Sequence, residues 1–291
     1  MGSKVWLNGQ MVDREKASIS VFDHGLLYGD GVFEGIRFYE RKVFKLDEHI
    51  DRLFNSAKII MLDIPVSKDD LKKAVLLTCR ESGLDNGYVR PVVTRGTGPL
   101  GLAPWKCTNP NIFIIADTLL LYPVELYRNG MPIVTVPTRR NISEAVNPMI
   151  KSLNYLNNIL AKIEAKTAGV EEALMLNQEG YVAECTGDNI FIVRNGVIYT
   201  PPVYAGALPG ITLSAVIEVA AQMGVKVIDK IFTRAEVYTA DECFLTGTAA
   251  EVVPIISLDS RKIGDGKPGA ITSELVTRFQ EYARKTGTPI G

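Results

Sequence analysis

The sequence has few of the residues that usually build metal sites. Its 291 residues include only four cysteines and two histidines, and no two cysteines form a C-x-x-C pair. Structural zinc sites combine several such ligands at short spacing. We therefore expect no metal site, and we interpret the cysteines as reduced. These six residues are Cys79, Cys107, Cys185, Cys243, His24 and His49.

Long apolar runs, basic clusters and repeats are also lacking. No apolar run approaches the ~18 residues of a membrane-spanning helix, and the N-terminus has no signal-peptide core. The net charge is −1 and the pI is about 6.2, so nucleic acid and anionic membranes are poor partners. The 46% of hydrophobic residues suffices for a sizeable core in one or two domains. We expect a soluble, cytoplasmic protein.

A lysine stands out among the residues that are present. Lys151 follows Asn147-Pro-Met-Ile and precedes an apolar-periodic run with Leu156, Leu160 and Ile163, which predicts a helix starting at or just after Lys151. Tyr155 would then lie one turn away on the same face and bond a cofactor ring oxygen. A lysine amine can form a Schiff base with an aldehyde when burial lowers its pKa. A solvated surface lysine would fit the same pattern.

A carboxylate at a strand end strengthens the cofactor interpretation. The run from Tyr181 to Phe191 alternates polar and apolar residues after the turn at Asn177–Gly180, which places Glu184 near the end of a strand. A carboxylate can hold a pyridine nitrogen protonated and so make the ring an electron sink. Lys151 and Glu184 would suit pyridoxal phosphate.

Two turns of small residues suit the anionic parts of such a cofactor. Leu208-Pro-Gly210-Ile211-Thr212 opens a predicted helix, where free backbone N–H groups and a hydroxyl can bind phosphate. The segment Thr246-Gly-Thr248-Ala249-Ala follows a short strand and can present further N–H groups to an anion. An amine, a carboxylate and two anion-binding turns together predict a pyridoxal 5′-phosphate site.

These motifs, in this order, resemble the class IV aminotransferases of fold type IV. The resemblance covers nearly the whole chain and is closest to the branched-chain amino acid aminotransferases. It implies an α+β protein with a small N-terminal α/β domain, 1–119, a linker, 120–127, and a larger pseudo-barrel-like cofactor domain, 128–291. It also implies ping-pong transfer of the amino group between L-leucine, isoleucine or valine and 2-oxoglutarate through Lys151.

The family also implies roles for residues of the first half. In the family, the arginine that matches Arg52 grips the cofactor phosphate, and a guanidinium suits that anion. In branched-chain enzymes the residues matching Phe33 and Gly35 line the substrate pocket, and aromatic faces suit a branched alkyl group. The tyrosine matching Tyr28 comes from the neighbouring subunit. At least a homodimer follows, and a hexamer would fit equally well.

The segment Tyr88-Val-Arg90-Pro resembles the part of branched-chain enzymes that handles substrate carboxylates. There the tyrosine places the amino acid's carboxylate and the arginine serves the distal carboxylate of 2-oxoglutarate. Arg90 is our candidate for that role, and Arg37 and Arg95 are the alternatives. We assign Thr248 and Ala249 to substrate binding and Thr248 to the cofactor as well. The loop of residues 96–104 is expected to cover the site.

Some alternatives share the same residues. A D-amino-acid aminotransferase or an aminodeoxychorismate lyase would keep every cofactor residue, and only the regions around Phe33 and Tyr88 favour branched-chain substrates. A catalytically inactive binding protein is disfavoured because Lys151, Glu184 and both turns are intact. Branched-chain enzymes often carry another tyrosine in the linker, but Tyr122 and Tyr127 match that position poorly.

Overall fold

The computed structural model describes residues 4–291 and divides into two compact units. The first contains the residues up to Leu119 together with Ile150–Asn154 and Ala283–Gly291, and the second contains Leu120–Met149 and Tyr155–Tyr282. Both combine helices with a sheet, so the predicted two-domain α+β architecture is confirmed. Within residues 4–291, every helix is too short or too polar to span a bilayer.

The described part of the first unit is built on an eight-stranded antiparallel sheet. Its strand order is β17-β5-β4-β6-β7-β1-β2, with β3 paired to β6. Along β7 the side chains alternate between the interior and the surface, as expected for a sheet with one covered face. The strands are β1 (Lys4–Leu7), β2 (Gln10–Asp13), β3 (Gly31–Phe33), β4 (Ile36–Tyr39), β5 (Lys42–Val43), β6 (Gly87–Thr94), β7 (Asn111–Asp117) and β17 (Thr288–Pro289).

Two amphipathic helices cover this sheet. In α2 (Leu46–Ile59), Ile50 and Leu53 are buried, and in α3 (Lys68–Ser82), Leu71 and Val75 are buried. Ser67 caps α3 by accepting a hydrogen bond from Asp70 N, as its sequence position predicts. A short helix, α1 (His24–Tyr28), lies at the start of the glycine-rich segment. The helices and the sheet enclose one apolar core.

The second unit is built on a nine-stranded mixed sheet among the described residues. Its order is β10-β9-β8-β15-β14-β11-β12-β13, with β16 paired to β15, and the pairs β8–β9, β8–β15 and β12–β13 are parallel. The strands are β8 (Met131–Thr135), β9 (Glu172–Leu176), β10 (Val182–Cys185), β11 (Asn189–Arg194), β12 (Val197–Thr200), β13 (Val227–Asp229), β14 (Glu242–Gly247), β15 (Glu251–Leu258) and β16 (Arg261–Lys262).

The helices of the remaining chain are α4 (Val124–Asn129), α5 (Leu156–Thr167), α6 (Ile211–Gln222), α7 (Arg234–Tyr238) and α8 (Ala270–Lys285). Helix α6 begins after Gly210 and buries Val216 and Val219, as its sequence predicts. Helix α5 instead buries Asn158, Ala161 and Ala165. Its large apolar side chains form an exposed stripe of Leu156, Ile159, Leu160 and Ile163.

The observed units differ from the predicted domain boundaries at three segments. Residues 150–154 and 283–291 pack with the first unit, because Ser152 bridges Val32 and β17 pairs with β5. The predicted linker, 120–127, belongs to the second unit. It contains the start of α4 and the buried side chain of Tyr122.

Candidate active site

Lys151 lies beside β3 in the first unit. Its carbonyl accepts a hydrogen bond from Phe33 N at 3.0 Å, and Gly31 O accepts one from Leu153 N at 2.9 Å. The Lys151 N–H donates to Ser56 Oγ at 3.2 Å. This pairing places Nζ 4.6 Å from the centroid of the Phe33 ring. The amine therefore lies against an aromatic face.

The segment between Lys151 and Tyr155 is not helical. Helix α5 begins at Leu156, and Tyr155 is its N-cap residue. The prediction that Lys151 and Tyr155 share one helical face is therefore wrong, because residues 151–153 pair with β3 instead. The proposed contact of Tyr155 with a cofactor stays a prediction.

Four residues predicted to bind substrate form one cluster with Lys151. Arg90 Nη2 donates to the Tyr88 hydroxyl at 2.6 Å, and its guanidinium carbon lies 4.6 Å from the Phe33 ring centroid. Arg90 Nε is buried without a hydrogen-bond partner among the described residues. A Cβ on Gly35 would lie 1.8 Å from the Tyr88 hydroxyl oxygen, so only glycine leaves room for it. The cluster combines an aromatic wall, an amine and a cation with an unmet donor.

The two alternative arginines have different surroundings. Arg95 donates to both carboxylate oxygens of Asp30 at 2.9 and 3.0 Å and to the carbonyls of Ile60 and Met61 at 2.6 Å each. The two carbonyl bonds tie Arg95 to the end of α2, and the other two pair it with Asp30, before β3. Arg37 lies directly opposite Tyr88 in the β4–β6 register. The geometry thus favours Arg90, with Arg37 nearby in the sheet.

Arg52 is held by a buried carboxylate that lies between two of the pocket residues. Glu34 Oε1 accepts from Arg52 Nε at 2.6 Å, and Oε2 accepts from Arg52 Nη2 at 2.9 Å and from His49 Nδ1 at 2.6 Å. Glu34 is fully buried and follows Phe33 directly. The network fixes Arg52, the predicted phosphate contact, to the segment that carries the pocket wall.

The charges in this network follow from their surroundings. Burial alone would raise the pKa of the Glu34 carboxyl, but the Arg52 charge, His49 and the hydrogen bonds from both outweigh it, so that the pKa lies well below its usual range. Burial lowers the pKa of His49 against the opposing effect of Glu34. We therefore describe an ionised Glu34, a paired Arg52 and a neutral His49 that donates from Nδ1.

Tyr28 contacts α1 and the loop of residues 96–104. It ends α1, it is 36% exposed, and its hydroxyl accepts a hydrogen bond from Gly101 N at 3.0 Å. His24 Nε2 contacts Pro99 O at 3.0 Å. These bonds attach the loop of residues 96–104 to α1. That loop exposes Leu100 and Leu102.

Glu184 is the centre of the polar cluster in the second unit. Its Oε1 accepts from Arg140 Nε at 2.7 Å, and its Oε2 accepts from Leu208 N at 2.8 Å. Arg140 also donates to the side-chain oxygen of Asn158 at 3.1 Å. All three side chains are buried. A buried ion pair with further hydrogen bonds orients the carboxylate firmly.

The two predicted anion-binding turns also lie in the second unit. Gly210 is the N-cap of α6, so the first N–H groups of that twelve-residue helix have no partner within it. Ile211 and Thr212 are buried there. Because Leu208 N binds Glu184, this turn is joined to the carboxylate. Gly247 ends β14, and the turn with Thr248 and Ala249 leads into β15.

Sequence reasoning missed three residues that hold the predicted ones in place. Glu34 and His49 fix Arg52, and Arg140 pairs with Glu184. Glu34 and Arg140 lie outside the helices and strands, so no periodicity marks them as buried, whereas His49 lies on the apolar face of α2 with Leu46 and Leu53. Glu34, between two predicted pocket residues, carries the clearest signal, because a charge in an otherwise apolar segment that is buried requires a partner. No group of three or more metal-ligating side chains is arranged for an ion within residues 4–291.

Comparisons with known proteins agree with this arrangement. Residues 31–258 match the family described as amino-transferase class IV. A protein of Methanocaldococcus jannaschii is 51% identical over 287 residues, which are 99% of each chain. The branched-chain-amino-acid aminotransferase of Pseudomonas aeruginosa is 42% identical over 277 residues, covering 93% of this chain and 90% of that protein.

A solved structure shares the whole fold. The branched-chain amino acid aminotransferase of Thermobaculum terrenum, in its form with pyridoxal phosphate, superimposes with a TM-score of 0.89 at 31% identity. The match covers 100% of this chain and 99% of that one. The resemblance seen in the sequence is therefore confirmed. The chain belongs to the class IV aminotransferases, enzymes that use pyridoxal 5′-phosphate.

Proposed function

We propose that this enzyme is a branched-chain amino acid aminotransferase, which exchanges the amino group between L-leucine, L-isoleucine or L-valine and 2-oxoglutarate. The observation that carries the proposal is the cluster of Lys151, Phe33, Tyr88 and Arg90. It offers a ring face to an alkyl group and a cation to a carboxylate. The names of the P. aeruginosa and T. terrenum proteins support the same activity.

The side chains fit pyridoxal phosphate. Lys151 supplies an amine beside an aromatic ring, and Glu184 supplies a carboxylate whose charge Arg140 balances. The start of α6 supplies backbone donors for a phosphate. Lys151 would hold the aldehyde, Glu184 the ring nitrogen, and Arg52, Gly210, Ile211, Thr212 and Thr248 the phosphate. When bound, the cofactor supplies an electron sink for charge that develops at the substrate Cα.

The side chains of the protein have separate roles in the reaction. The Lys151 amine removes the proton from the substrate Cα and later returns a proton, as a general base and acid. Glu184 would accept a hydrogen bond from the ring nitrogen of the cofactor and so keep that nitrogen protonated. Tyr88, Thr248 and Ala249 orient the substrate carboxylate. Phe33 excludes water from the alkyl side of the substrate.

A half-reaction tests the substrate assignment. The holoenzyme without an acceptor is mixed with L-leucine, L-alanine or D-alanine, and loss of the cofactor's visible absorption is followed. We expect rapid loss with L-leucine only, because only this side chain fills an apolar pocket beside Phe33. Conversion with D-alanine in its place would replace our substrate assignment with a D-amino-acid aminotransferase.

We propose that Arg90 binds the distal carboxylate of 2-oxoglutarate, because its buried Nε has an unmet donor. Arg90→Met should raise the KM for 2-oxoglutarate by about 100-fold, as expected for a lost charged hydrogen bond, and change the leucine half-reaction far less. Arg37→Met is the matched control. An equal loss with leucine, or a larger effect of Arg37→Met, would contradict the assignment.

We also propose that the enzyme is a homo-oligomer, at least a dimer. The exposed stripe of Leu156, Ile159, Leu160 and Ile163 on α5 supports this, because stable monomers rarely expose such faces. Tyr28 would then serve a neighbouring subunit. The molar mass in solution tests the assembly, and cell fractionation tests the predicted cytoplasmic location.

A further inference from the structure

A tyrosine hydroxyl lies between two buried carboxyl groups in the second unit. The Tyr122 hydroxyl oxygen is 2.9 Å from Glu172 Oε2 and 2.8 Å from Asp188 Oδ2. Tyr122 and Glu172 are 1% exposed and Asp188 is 3% exposed. One hydroxyl hydrogen can serve only one of these two contacts. If both carboxyls were ionised, the other contact would place two oxygens side by side in the interior with no hydrogen between them. Tyr122, Glu172 and Asp188 must therefore share two protons.

The other contacts decide which carboxyl carries that proton. Glu172 Oε1 accepts from Ala173 N at 2.7 Å and from Thr186 N at 2.9 Å, and Oε2 lies 3.4 Å from Lys162 Nζ. Three donors therefore stabilise an ionised Glu172. The Tyr122 hydroxyl is the one hydrogen-bond contact of the Asp188 carboxyl found among the described residues. Asp188 donates to Tyr122, and Tyr122 donates to Glu172.

Asp188 also contacts the turn that we assign to substrate and cofactor anions. A Cβ on Gly247 would lie 2.0 Å from Asp188 Oδ1, so this oxygen faces the Cα of the residue that begins the turn. The backbone holds Asp188 there, because Asp188 O accepts a hydrogen bond from Cys185 N at 2.8 Å. The Asp188 side chain therefore packs against Gly247, where the turn that leads to Thr248 and Ala249 begins.

We infer that Asp188 is a positioning residue that carries a proton, packs under the Gly247–Ala249 turn, and thereby keeps negative charge away from the anion which that turn binds. The inference rests on the proposed function of the turn. An ionised carboxylate at the same place would repel a substrate carboxylate bound at that turn, whereas the neutral acid keeps the shape without the charge.

The surroundings support a neutral Asp188. Burial, and then the Glu172 charge, raise the pKa of Asp188 to about 7. Two opposing effects lower it, a Tyr122 hydroxyl that turns to donate to the ionised Asp188 and the Lys162 charge. Glu184 adds a smaller effect that raises the pKa. Asp188 is therefore protonated below neutral pH and loses its proton as the pH rises through about 7.

The test compares the holoenzyme with its Asp188→Asn variant. The probe is 4-methylvalerate, a non-reacting carboxylate that stays ionised on both sides of neutral pH, and its Kd is measured by calorimetry. Above neutral pH the wild type should bind 4-methylvalerate about tenfold more weakly than the variant does, because Asp188 becomes charged and asparagine does not. Below neutral pH the two should bind alike, since asparagine has the shape of the protonated acid.

Infrared spectroscopy gives a readout that does not depend on ligand binding. The wild type should show the C=O band of a protonated carboxylic acid that fades as the pH passes neutrality, and Asp188→Asn should lack it. The change Glu172→Gln removes the neighbouring charge that raises the pKa of Asp188, so the band should fade at a lower pH than in the wild type.

Parallel pH dependence of Kd in the wild type and Asp188→Asn, or no protonated-acid band in the wild type, would overturn the inference. Neither result would affect the leucine half-reaction, whose failure would count against the proposed function itself.

Discussion

Lys151→Ala should lower the rate of transamination by at least about 10⁴-fold, because it removes both the covalent attachment of the cofactor and the base that moves the Cα proton. The visible absorption of the bound cofactor should be lost as well. The fold should persist, because Lys151 is tied to β3 and α2 through its backbone N–H and carbonyl. Steady-state rates, absorption spectra and circular dichroism measure the three effects.

A second lysine provides the control for this experiment. Lys166 is on α5, its side chain is 77% exposed, and it pairs with Glu171. Lys166→Ala should keep the wild-type rate and spectrum. If Lys151→Ala retained both the cofactor spectrum and turnover, Lys151 could not be the cofactor lysine.

Among the substitutions proposed here, Glu34→Gln should lower the free energy of unfolding most. The amide keeps the volume of Glu34 but removes the charge that pairs with Arg52, whose side chain is only 11% exposed, and breaking a buried ion pair costs about 3–5 kcal/mol. Arg52 should also lose its fixed orientation, so the affinity for pyridoxal phosphate should fall. Urea denaturation of the cofactor-free protein isolates the first effect, and cofactor titration measures the second.

The pH dependence of this loss has a definite sign. Because the pKa of Glu34 lies below its ordinary value of 4.5 in the folded protein, the ion pair contributes its stability above that pH. The contribution is lost as the pH falls through the folded-state pKa. The difference in unfolding free energy between wild type and Glu34→Gln should therefore be constant near neutrality and shrink in acid.

Glu40 offers the matched control, because its side chain is 61% exposed and lies 4.0 Å from Arg284. Glu40→Gln should leave the unfolding free energy unchanged, since exposed ion pairs contribute little. A loss as large as that of Glu34→Gln, or a pH-independent loss in Glu34→Gln, would contradict the buried ion pair.

Interactions between neighbouring residues make several turns and helix starts of this protein predictable from its sequence. The turn residues Asn8-Gly9 and Asn195-Gly196 predict hairpins, and β1–β2 and β11–β12 pair across them. The motif that ends in Gly210 predicts the start of α6. Such signals depend on a few neighbouring residues, so they can be read without knowledge of the fold. The order of the motifs likewise sufficed to identify the family.

Tertiary structure decided which polar residues are buried and what they contact. The partners Glu34 and Arg52 are 18 residues apart, and Arg140 and Glu184 are 44 apart, so no local pattern links them. Long-range pairing with β3 likewise kept Lys151 out of the helix that its neighbours predict. The apolar periodicity of α5 predicts a helix, and the helix is present, yet its large apolar side chains are exposed. Periodicity shows that a face is apolar, whereas only the packing of the chain decides what covers it.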